Sequence, residues 1–253
     1  MMNEHPLVQR FRSAVALSPE DETRLRALAA NPQTKPARRD LVREGERPRV
    51  VYLILSGWAS RYKVLEDGRR AILQFLVPGD LCNLHNVVVT AMDHSIGTLT
   101  ELRYAEIAHR HLEELERDYP TIRHALWWHS MTAIAIQREW TTNIGQRSAF
   151  ERLRHLFCEM FLRLQAVGLT VGQGCDMPAT QTDLGEATGL TAVHVNRTVQ
   201  DLRERGLIVL RSRRLEIPDL AALQEAASFM PDYLHFRKDG PVHPLASGAM
   251  WVN

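Results

Sequence analysis

The stretch that most constrains the fold is 180–206, which reads TQTDLGEATGLTAVHVNRTVQDLRERG. Thr180 is a good helix N-cap residue, and Asp183 three positions later reinforces the start of that helix. Gly189 ends it, because glycine readily takes the left-handed backbone that closes a helix. Thr191 then caps a second helix. Its apolar or compact positions recur at helical spacing and predict a buried face: Val195, Thr198, Val199 and Leu202. The stretch therefore predicts a helix-turn-helix.

The opposite face of the second helix predicts contact with DNA bases. It carries short side chains together with three polar residues: Ala192, Val193, Asn196, Arg197 and Gln200. Arg pairs bidentately with guanine, Asn or Gln with adenine, and a small apolar group with the thymine methyl. The second helix is therefore predicted to read bases in the major groove, with Arg197, Asn196 and Gln200 as the polar readers.

The segment that follows favours DNA binding over a plain helical hairpin, which would show a similar glycine and periodicity. Residues 206–210 and 215–217 resemble two short strands, and the residues between them form a basic turn. A strand pair closing on a basic tip after a recognition helix is typical of a wing, which contacts phosphates. We expect phosphate contacts from the wing and from the helix caps: Arg211, Arg213, Thr180, Thr182 and Thr191.

Charge and cysteine content exclude several other classes of protein. The 253 residues carry 31 basic and 30 acidic side chains, so this is not a polybasic nucleic-acid coat. Three widely spaced cysteines without a CxxC pair argue against a disulfide framework or a zinc site. No signal peptide and no membrane-spanning apolar run is apparent, so we expect a soluble, cytoplasmic protein without a membrane partner.

The first half of the chain predicts a β-barrel behind a helical start. Residues 1–37 are expected to be helical and polar, with a helix beginning at Ser18-Pro19. Short β-rich runs at 41–42, 50–55, 58–64, 71–77 and 97–107 then alternate with Gly-containing turns. Many short strands with glycine at the corners indicate a jelly-roll-type barrel.

Residues 120–144 predict one long helix with apolar side chains on more than one face. We expect one face to pack on the barrel and another on the same helix of a second copy, although a single buried helix in a monomer would also explain the pattern. The predicted dimer seam follows coiled-coil spacing: Trp127, Met131, Ile134, Arg138 and Thr141. Gly145 is expected to end the helix and act as a hinge. A further helix over 147–167 and a loop over 168–177 precede the helix-turn-helix.

These elements predict an α+β chain with four parts. Residues 1–119 form the N-terminal helix and a jelly-roll, cyclic-nucleotide-binding-like β-barrel. Residues 120–145 form the dimerisation helix, 146–230 the winged helix-turn-helix domain, and 231–253 a less structured C-terminal tail.

The order of these features resembles the Crp/Fnr family of bacterial transcription regulators over roughly 41–217. The resemblance rests on Gly45-Glu46, Leu55-Ser56-Gly57, Glu66-Asp67-Gly68, Pro78-Gly79-Asp80, the long helix and above all the run 189–198, GLTAVHVNRT. It implies a homodimer on palindromic double-stranded DNA, an effector-sensing barrel and, for an activator, RNA polymerase as a partner. It also implies that Arg197 keeps its family role, while Ala192 and Val193 replace an Arg-Glu pair and predict a different operator.

The effector is left unidentified by the resemblance. Family members that bind cyclic nucleotides carry a Gly-Glu-Leu segment and a later Arg, whereas this chain has 81–86, LCNLHN, without Glu and 91–96, AMDHSI, without Arg. Cyclic AMP by the usual chemistry is therefore not expected. Family iron–sulfur members use an N-terminal cysteine cluster, which is also missing. The cofactor remains unknown.

Candidate effector-pocket residues lie in the two segments, 81–86 and 91–96, that differ from the cyclic-nucleotide-binding members: Leu81, Cys82, His85, His94 and Ser95. His85, His94 and Cys82 would be the ligands of a haem or metal, but their spacing matches no metal motif, so no metal site is predicted. Cys175 is the better redox candidate. The alternatives are a haem- or thiol-based gas or redox sensor, or a non-DNA-binding regulatory subunit of an enzyme. No catalytic motif is present, so the chain is not expected to be an enzyme.

Overall fold

A computed structural model describes residues 5–89 and 91–237 of the chain. None of the helices in these residues combines the length and hydrophobicity needed to span a membrane. The helices and strands occur in this order: α1 (Pro6–Arg12), α2 (Pro19–Ala27), β1 (Gln33–Lys35), β2 (Asp40–Val42), β3 (Val50–Ser56), β4 (Ala59–Val64), β5 (Arg70–Leu76), β6 (Ser95–Thr98), β7 (Leu102–Ala108), α3 (His109–Asp118), α4 (Pro120–Gln146), α5 (Ala149–Gln165), β8 (Thr170–Val171), β9 (Gly174–Asp176), α6 (Gln181–Thr188), α7 (Ala192–Glu204), β10 (Val209–Arg211), β11 (Arg214–Glu216) and α8 (Leu220–Ala227).

The predicted barrel is confirmed as two antiparallel sheets around one apolar interior. The strand orders are β1-β7-β3 and β2-β6-β4-β5. β3 reads VVYLILS, a near-continuous apolar run of the kind expected for a strand that is covered on both faces. Val51 and Leu53 pack with the helices, while Ile54 packs inside with buried residues from both sheets.

The N-terminal segment forms two helices, α1 and α2, as the sequence predicts, but it is not polar throughout. Ser18 does cap α2, with a reciprocal capping box to Asp21. However, Leu7, Val8 and Phe11 of α1 are fully buried against β3, α3 and α4, because their spacing places them on one helix face. Residues 33–35 add strand β1 to the barrel.

The single run predicted at 97–107 is two strands, β6 and β7, which belong to different sheets. The chain crosses between them beside Gly57, whose φ is +83°. A Cβ there would lie 2.1 Å from the carbonyl oxygen of Glu101, so only glycine permits this approach.

The break after the long helix lies later than predicted. Gly145 is inside α4, which continues to Gln146, so the prediction that this glycine ends the helix is wrong. Arg147 and Ser148 are extended, and the Ser148 side chain caps α5 through a capping box with Glu151. Capping fixes the start of α5 at Ala149 because it satisfies backbone N–H groups that the first turn leaves free.

The predicted loop over 168–177 is a β-hairpin instead. β8 pairs with β9, and β9 pairs with β11, giving a four-stranded sheet of order β10-β11-β9-β8. The strand pairing with β11 joins residues about forty positions apart in sequence, such as Cys175 and Leu215. This sheet therefore supports the predicted wing from one side.

A buried ionic cluster joins α1, the barrel and α5. The Asp80 carboxylate contacts Arg10 and also accepts a 2.8 Å hydrogen bond from Arg163, whose side chain is 1% exposed. Arg163 also pairs with Glu159 at 3.2 Å. The Tyr233 hydroxyl donates to Glu159, so the start of the predicted C-terminal tail is packed against α5. The rest of that tail, 238–253, lies outside the described residues.

Candidate nucleic-acid interface and barrel interior

The turn between α6 and α7 has the tight geometry of a helix-turn-helix. Thr180 caps α6 and forms a capping box with Asp183. Gly189 closes α6 in the left-handed conformation, with φ of +68°. A Cβ on Gly185 would lie 2.5 Å from the carbonyl oxygen of Leu190, so the small residue at this position lets the turn approach α6. The local sequence signals thus produce the predicted pair of helices.

α7 separates its inward and outward residues as the sequence predicts. The four predicted inward side chains, Val195, Thr198, Val199 and Leu202, are all buried. On the other face, Asn196 is half-buried and the remaining predicted readers are exposed: Ala192, Val193, Arg197 and Gln200. The side chain of Arg197 has no hydrogen bond or ion pair within the described part of the chain, whereas Arg205 pairs with Asp201 at 2.9 Å. Arg197 is therefore free to pair with an external acceptor.

The wing is a two-residue hairpin with a basic tip. β10 and β11 pair antiparallel, and Ser212 and Arg213 between them have φ of 48° and 63°, as a type I′ turn requires. Arg211 and Arg213 are exposed, while Arg214 is half-buried and lies 3.5 Å from Glu216. The two arginines predicted to contact phosphate are the ones whose charges face solvent.

The three threonines predicted to contact phosphate differ in whether their hydrogen-bond donors are already used within the protein. Thr180 donates both its backbone N–H and its hydroxyl to Asp183, so neither is free in this conformation. Thr191 accepts from the backbone N–H of His194 at 3.2 Å and keeps its own hydroxyl hydrogen. Thr182 is exposed on the first turn of α6. Thr182 and Thr191 are therefore better placed to donate to a phosphate than Thr180.

Ion pairs from Arg38 and Arg70 fix α6 to the barrel, and no local sequence pattern indicates them. Arg38 donates two 2.7 Å hydrogen bonds to the two carboxylate oxygens of Asp183, and Arg70 donates to Glu186 at 3.2 Å. Burial by itself would raise the pKa of Asp183, but the bonds from Arg38 and Thr180 outweigh it and hold that pKa below its usual value. A bidentate guanidinium–carboxylate pair is directional, so it sets the orientation of α6 on the barrel.

A stripe of exposed apolar side chains runs along α4. The five residues of the predicted seam are all exposed in the isolated chain, with Trp127, Met131 and Ile134 at 60%, 47% and 43%. Ile144 lies outside the predicted seam but continues the stripe, with 47% of its surface exposed. Ala135 and Ile136 are buried on the opposite side. An exposed row of large apolar side chains on a long helix is typical of a protein interface.

The predicted effector-pocket residues are divided between different parts of the barrel domain. Leu81 packs with the cluster formed by α1, β3 and α4, while Cys82 packs inside the barrel. Ser95 accepts a hydrogen bond from the backbone N–H of Glu44. His85 and His94 do come together, with ring centroids 5.4 Å apart. The third side chain that converges with them is Asp93 rather than the predicted Cys82.

Arg61 is a half-buried cation in the barrel that sequence reasoning missed. Its guanidinium donates twice to the carbonyl oxygen of Cys82 and once to the side chain of Gln74. Burial lowers its pKa. Strand periodicity offered a signal, because Arg61 lies two positions after the inward-facing Ala59.

None of the cysteines is placed for redox sensing. Cys82, Cys158 and Cys175 are free thiols, and all are buried. Burial raises the pKa of the Cys175 thiol to about 12 and that of Cys158 to about 12, so the reactive thiolate is scarce at neutral pH. The prediction that Cys175 is the better redox candidate placed it in the loop before the helix-turn-helix, whereas the residue is buried in β9, which pairs with the wing strand β11.

Two family models match separate parts of the chain. Residues 33–119 match the cyclic nucleotide-binding domain, and residues 151–226 match the Crp-like helix-turn-helix domain. The first range covers the barrel, and the second covers α5, the α6–α7 pair and the wing.

Two relatives that match over most of this chain are regulatory proteins. The transcriptional activator protein FnrL of Cereibacter sphaeroides is 27% identical over 187 residues, which cover 72% of this chain and 75% of FnrL. The nitrogen fixation regulation protein FixK of Rhizobium meliloti is 26% identical over 178 residues, covering 70% of this chain and 77% of FixK.

Solved structures share the fold. FixK2 from Bradyrhizobium japonicum superposes with a TM-score of 0.69 at 22% identity, covering 77% of this chain and 96% of FixK2. A mutant of CooA from Carboxydothermus hydrogenoformans gives a TM-score of 0.62 at 16% identity, covering 78% and 87% of the two chains.

Proposed function

Because this chain belongs to the Crp/Fnr family of DNA-binding transcription regulators, we propose that it acts as a homodimer on a palindromic operator. The observation that carries the proposal is the outward face of α7, where Arg197, Gln200 and Val193 are exposed beside a basic wing. In a symmetric dimer two copies of α7 enter successive major grooves, about 34 Å apart.

The dimer interface that we propose is the exposed stripe on α4. Its apolar members from Trp127 to Ile144 span 17 helical steps, or about 25 Å at about 1.5 Å per residue. Pairing two such stripes removes Trp127, Met131 and Ile134 from water. The paired α4 helices then hold the two winged helix-turn-helix domains, each with its α7, in a fixed relative position.

Base and phosphate contacts are divided between different groups in this proposal. Arg197, Asn196 and Gln200 read base edges, while Ala192 and Val193 contact thymine methyl groups. Thr182, Thr191, Arg211 and Arg213 contact phosphates and set the register. Thr180 contributes by capping α6 rather than by donating to DNA, since its donors are used by Asp183.

An effector bound in the barrel is proposed to act on DNA binding through the ion pairs to α6. Arg38 lies two positions before the barrel strand β2, and its guanidinium donates two hydrogen bonds to Asp183 in the first turn of α6. A change in the position of β2 therefore changes where α6 and α7 lie. This route replaces the hinge that we predicted at Gly145, which is an ordinary helical position in α4.

The proposed function also determines where the protein acts and which partners it has. The regulator acts on chromosomal DNA in the cytoplasm, catalyses no reaction and, if it activates promoters, contacts RNA polymerase. A thiol-based sensor is disfavoured by the burial of all three cysteines.

Selection of binding sites from random duplex DNA tests the proposal. The full chain should enrich an inverted repeat with half-site centres about 10–10.5 base pairs apart, or a multiple of that spacing. Gln200→Ala should relax the preference at one base pair in each half-site, whereas Gln146→Ala, an exposed glutamine at the end of α4, should leave the selected sequence unchanged. Enrichment of no sequence, or of an unrepeated one, would contradict the proposal.

A further inference from the structure

Three side chains with metal-ligating atoms converge at the rim of the barrel: His85, Asp93 and His94. One candidate ligand atom from each lies within 4.8 Å of the other two. Nδ1 of His94 lies 2.7 Å from Oδ1 of Asp93, and Nε2 of His85 lies 3.9 Å from the same oxygen. His85 comes from the short 3-10 helix Leu84–Val87, and the other two precede or begin β6.

The two imidazoles have ring nitrogens for which the protein supplies no partner. Nε2 of His85 and Nε2 of His94 are both buried and make no hydrogen bond. Unpaired buried polar atoms are costly and rare, so each calls for a ligand or an explanation. Burial lowers the pKa of His85 to about 4 and also lowers that of His94, which keeps both rings neutral and able to donate a lone pair to a metal at neutral pH.

We propose that His85, Asp93 and His94 bind one late first-row divalent transition-metal ion, of the kind represented by Zn²⁺ and Co²⁺. Two imidazoles and one carboxylate suit these ions, whereas Mg²⁺ and Ca²⁺ prefer all-oxygen sites. Three protein ligands leave at least one coordination position for water or another small ligand.

The geometry needs only a small adjustment to hold such an ion. Zn–N and Zn–O bonds of about 2.0–2.2 Å place the ligands of a tetrahedral site about 3.3 Å apart. His94 is fixed by burial, while the Asp93 side chain is 82% exposed and is free to rotate. We expect metal binding to replace the 2.7 Å contact between the Asp93 oxygen and Nδ1 of His94.

The charges around the cluster are mixed. The Arg61 guanidinium is close enough to lower the pKa of both histidines, and it opposes a cation. Asp93 and Glu44 act in the other direction, although Glu44 is paired with Lys63 at 2.8 Å. The Asp93 carboxylate is therefore needed for binding as a charge as well as a ligand.

Titration of the tag-free full chain with Co²⁺ tests the site. The chain is first dialysed against a chelator, and binding is followed by the visible d–d absorption of Co²⁺ and by metal analysis after dialysis. We expect one ion per chain, displaced by Zn²⁺. His85→Gln, His94→Gln and Asp93→Asn should each weaken binding by about tenfold or more, a loss of the size seen when metal-supporting groups are removed.

His111→Gln is the matched control, because His111 is an exposed histidine on α3, and it should bind Co²⁺ as the wild type does. Asp93→Asn keeps the test decisive if His94→Gln fails to fold, since Asp93 lies in solvent. Wild-type binding far below one ion per chain, or unchanged affinity in the folded variants, would overturn the proposal. The measurement uses no DNA, so its outcome is independent of the proposed operator binding.

Discussion

Asp80→Asn is the substitution for which the structure defines the expected loss of stability most directly. The Asp80 carboxylate contacts Arg10 of α1 and Arg163 of α5, and the side chains of these three residues are at most 5% exposed. Asparagine keeps the volume of the side chain but removes the charge that neutralises the two guanidiniums. The change therefore leaves buried cations without their main counter-ion.

The size of the effect follows from the pKa of this carboxyl. Burial by itself raises the pKa of Asp80, but Arg10 and Arg163 outweigh it and bring the pKa from 3.8 to about 2. At about 1.36 kcal/mol per pH unit, this difference contributes about 2 kcal/mol to the free energy of unfolding at neutral pH. Breaking a buried ion pair from one side typically costs about 3–5 kcal/mol. We expect Asp80→Asn to cost about 2–5 kcal/mol.

The pH dependence has a definite sign. Because the folded pKa is depressed, the stabilisation by Asp80 is fully present above the unfolded pKa near 3.8 and is lost as the pH falls toward 2. The difference in stability between wild type and Asp80→Asn should therefore fall to about half of its neutral value near pH 3.

Urea unfolding followed by circular dichroism, at pH 7 and again at pH 3, measures both quantities. Asp118→Asn is the matched control, since Asp118 pairs with Arg117 on the surface and should cost less than about 1 kcal/mol. If Asp80→Asn costs no more than Asp118→Asn, or if its cost is the same at both pH values, the buried cluster does not carry the stability that we assign to it.

Four further predictions concern the dimer, the effector, the end of α4 and the helix-turn-helix. Ile134→Glu should give a folded monomer that loses the operator, by analytical ultracentrifugation and DNA binding, whereas Val64→Glu, at another exposed apolar position, should stay dimeric. Millimolar cyclic AMP should leave the melting temperature unchanged; a ligand at 100 times its Kd would add about 2.7 kcal/mol and shift it by several degrees. Gly145→Ala should raise stability by roughly 0.5–1 kcal/mol without affecting DNA affinity, and a loss of affinity would restore the hinge role. Gly185→Ala should abolish operator binding, because its Cβ would lie 2.5 Å from the Leu190 carbonyl oxygen; normal binding would contradict the tight turn.

Features set by neighbouring residues could be predicted from the sequence. The caps at Ser18, Thr180 and Thr191 and the left-handed Gly189 depend on hydrogen bonds within a few positions of the chain. Helical periodicity likewise separated the buried and exposed faces of α7. Local signals of this kind are sufficient to predict the helix-turn-helix.

Features set by distant residues could not be predicted in the same way. Arg38 and Asp183 are 145 positions apart, and nothing in either local sequence indicates the other. β9 reads as a loop because it is short and its stability comes from pairing with the wing. Arg163 lies on the apolar face of α5, where a charged residue is unusual unless a buried partner such as Asp80 is available.

The candidate barrel site was only half predicted for a related reason. The sequence groups His85 and His94 as possible metal ligands with Cys82, which precedes His85 in the chain. Cys82 points into the apolar interior, whereas the exposed Asp93 reaches the two rings. Sequence proximity does not show which face of a loop a side chain occupies.

The measurement that tests the central claim most directly compares Arg197→Ala with wild type on the selected operator and on random duplex DNA, at two salt concentrations. If α7 reads bases, the variant should lose about 1–3 kcal/mol, or about 5- to 150-fold in affinity, on the operator and almost nothing on random DNA. Its salt dependence should match that of the wild type, because no phosphate contact is removed. Arg117→Ala, an exposed arginine on α3, should bind both DNAs normally. Equal weakening on both DNAs, with a shallower salt dependence, would make Arg197 a phosphate contact and would contradict base reading by α7.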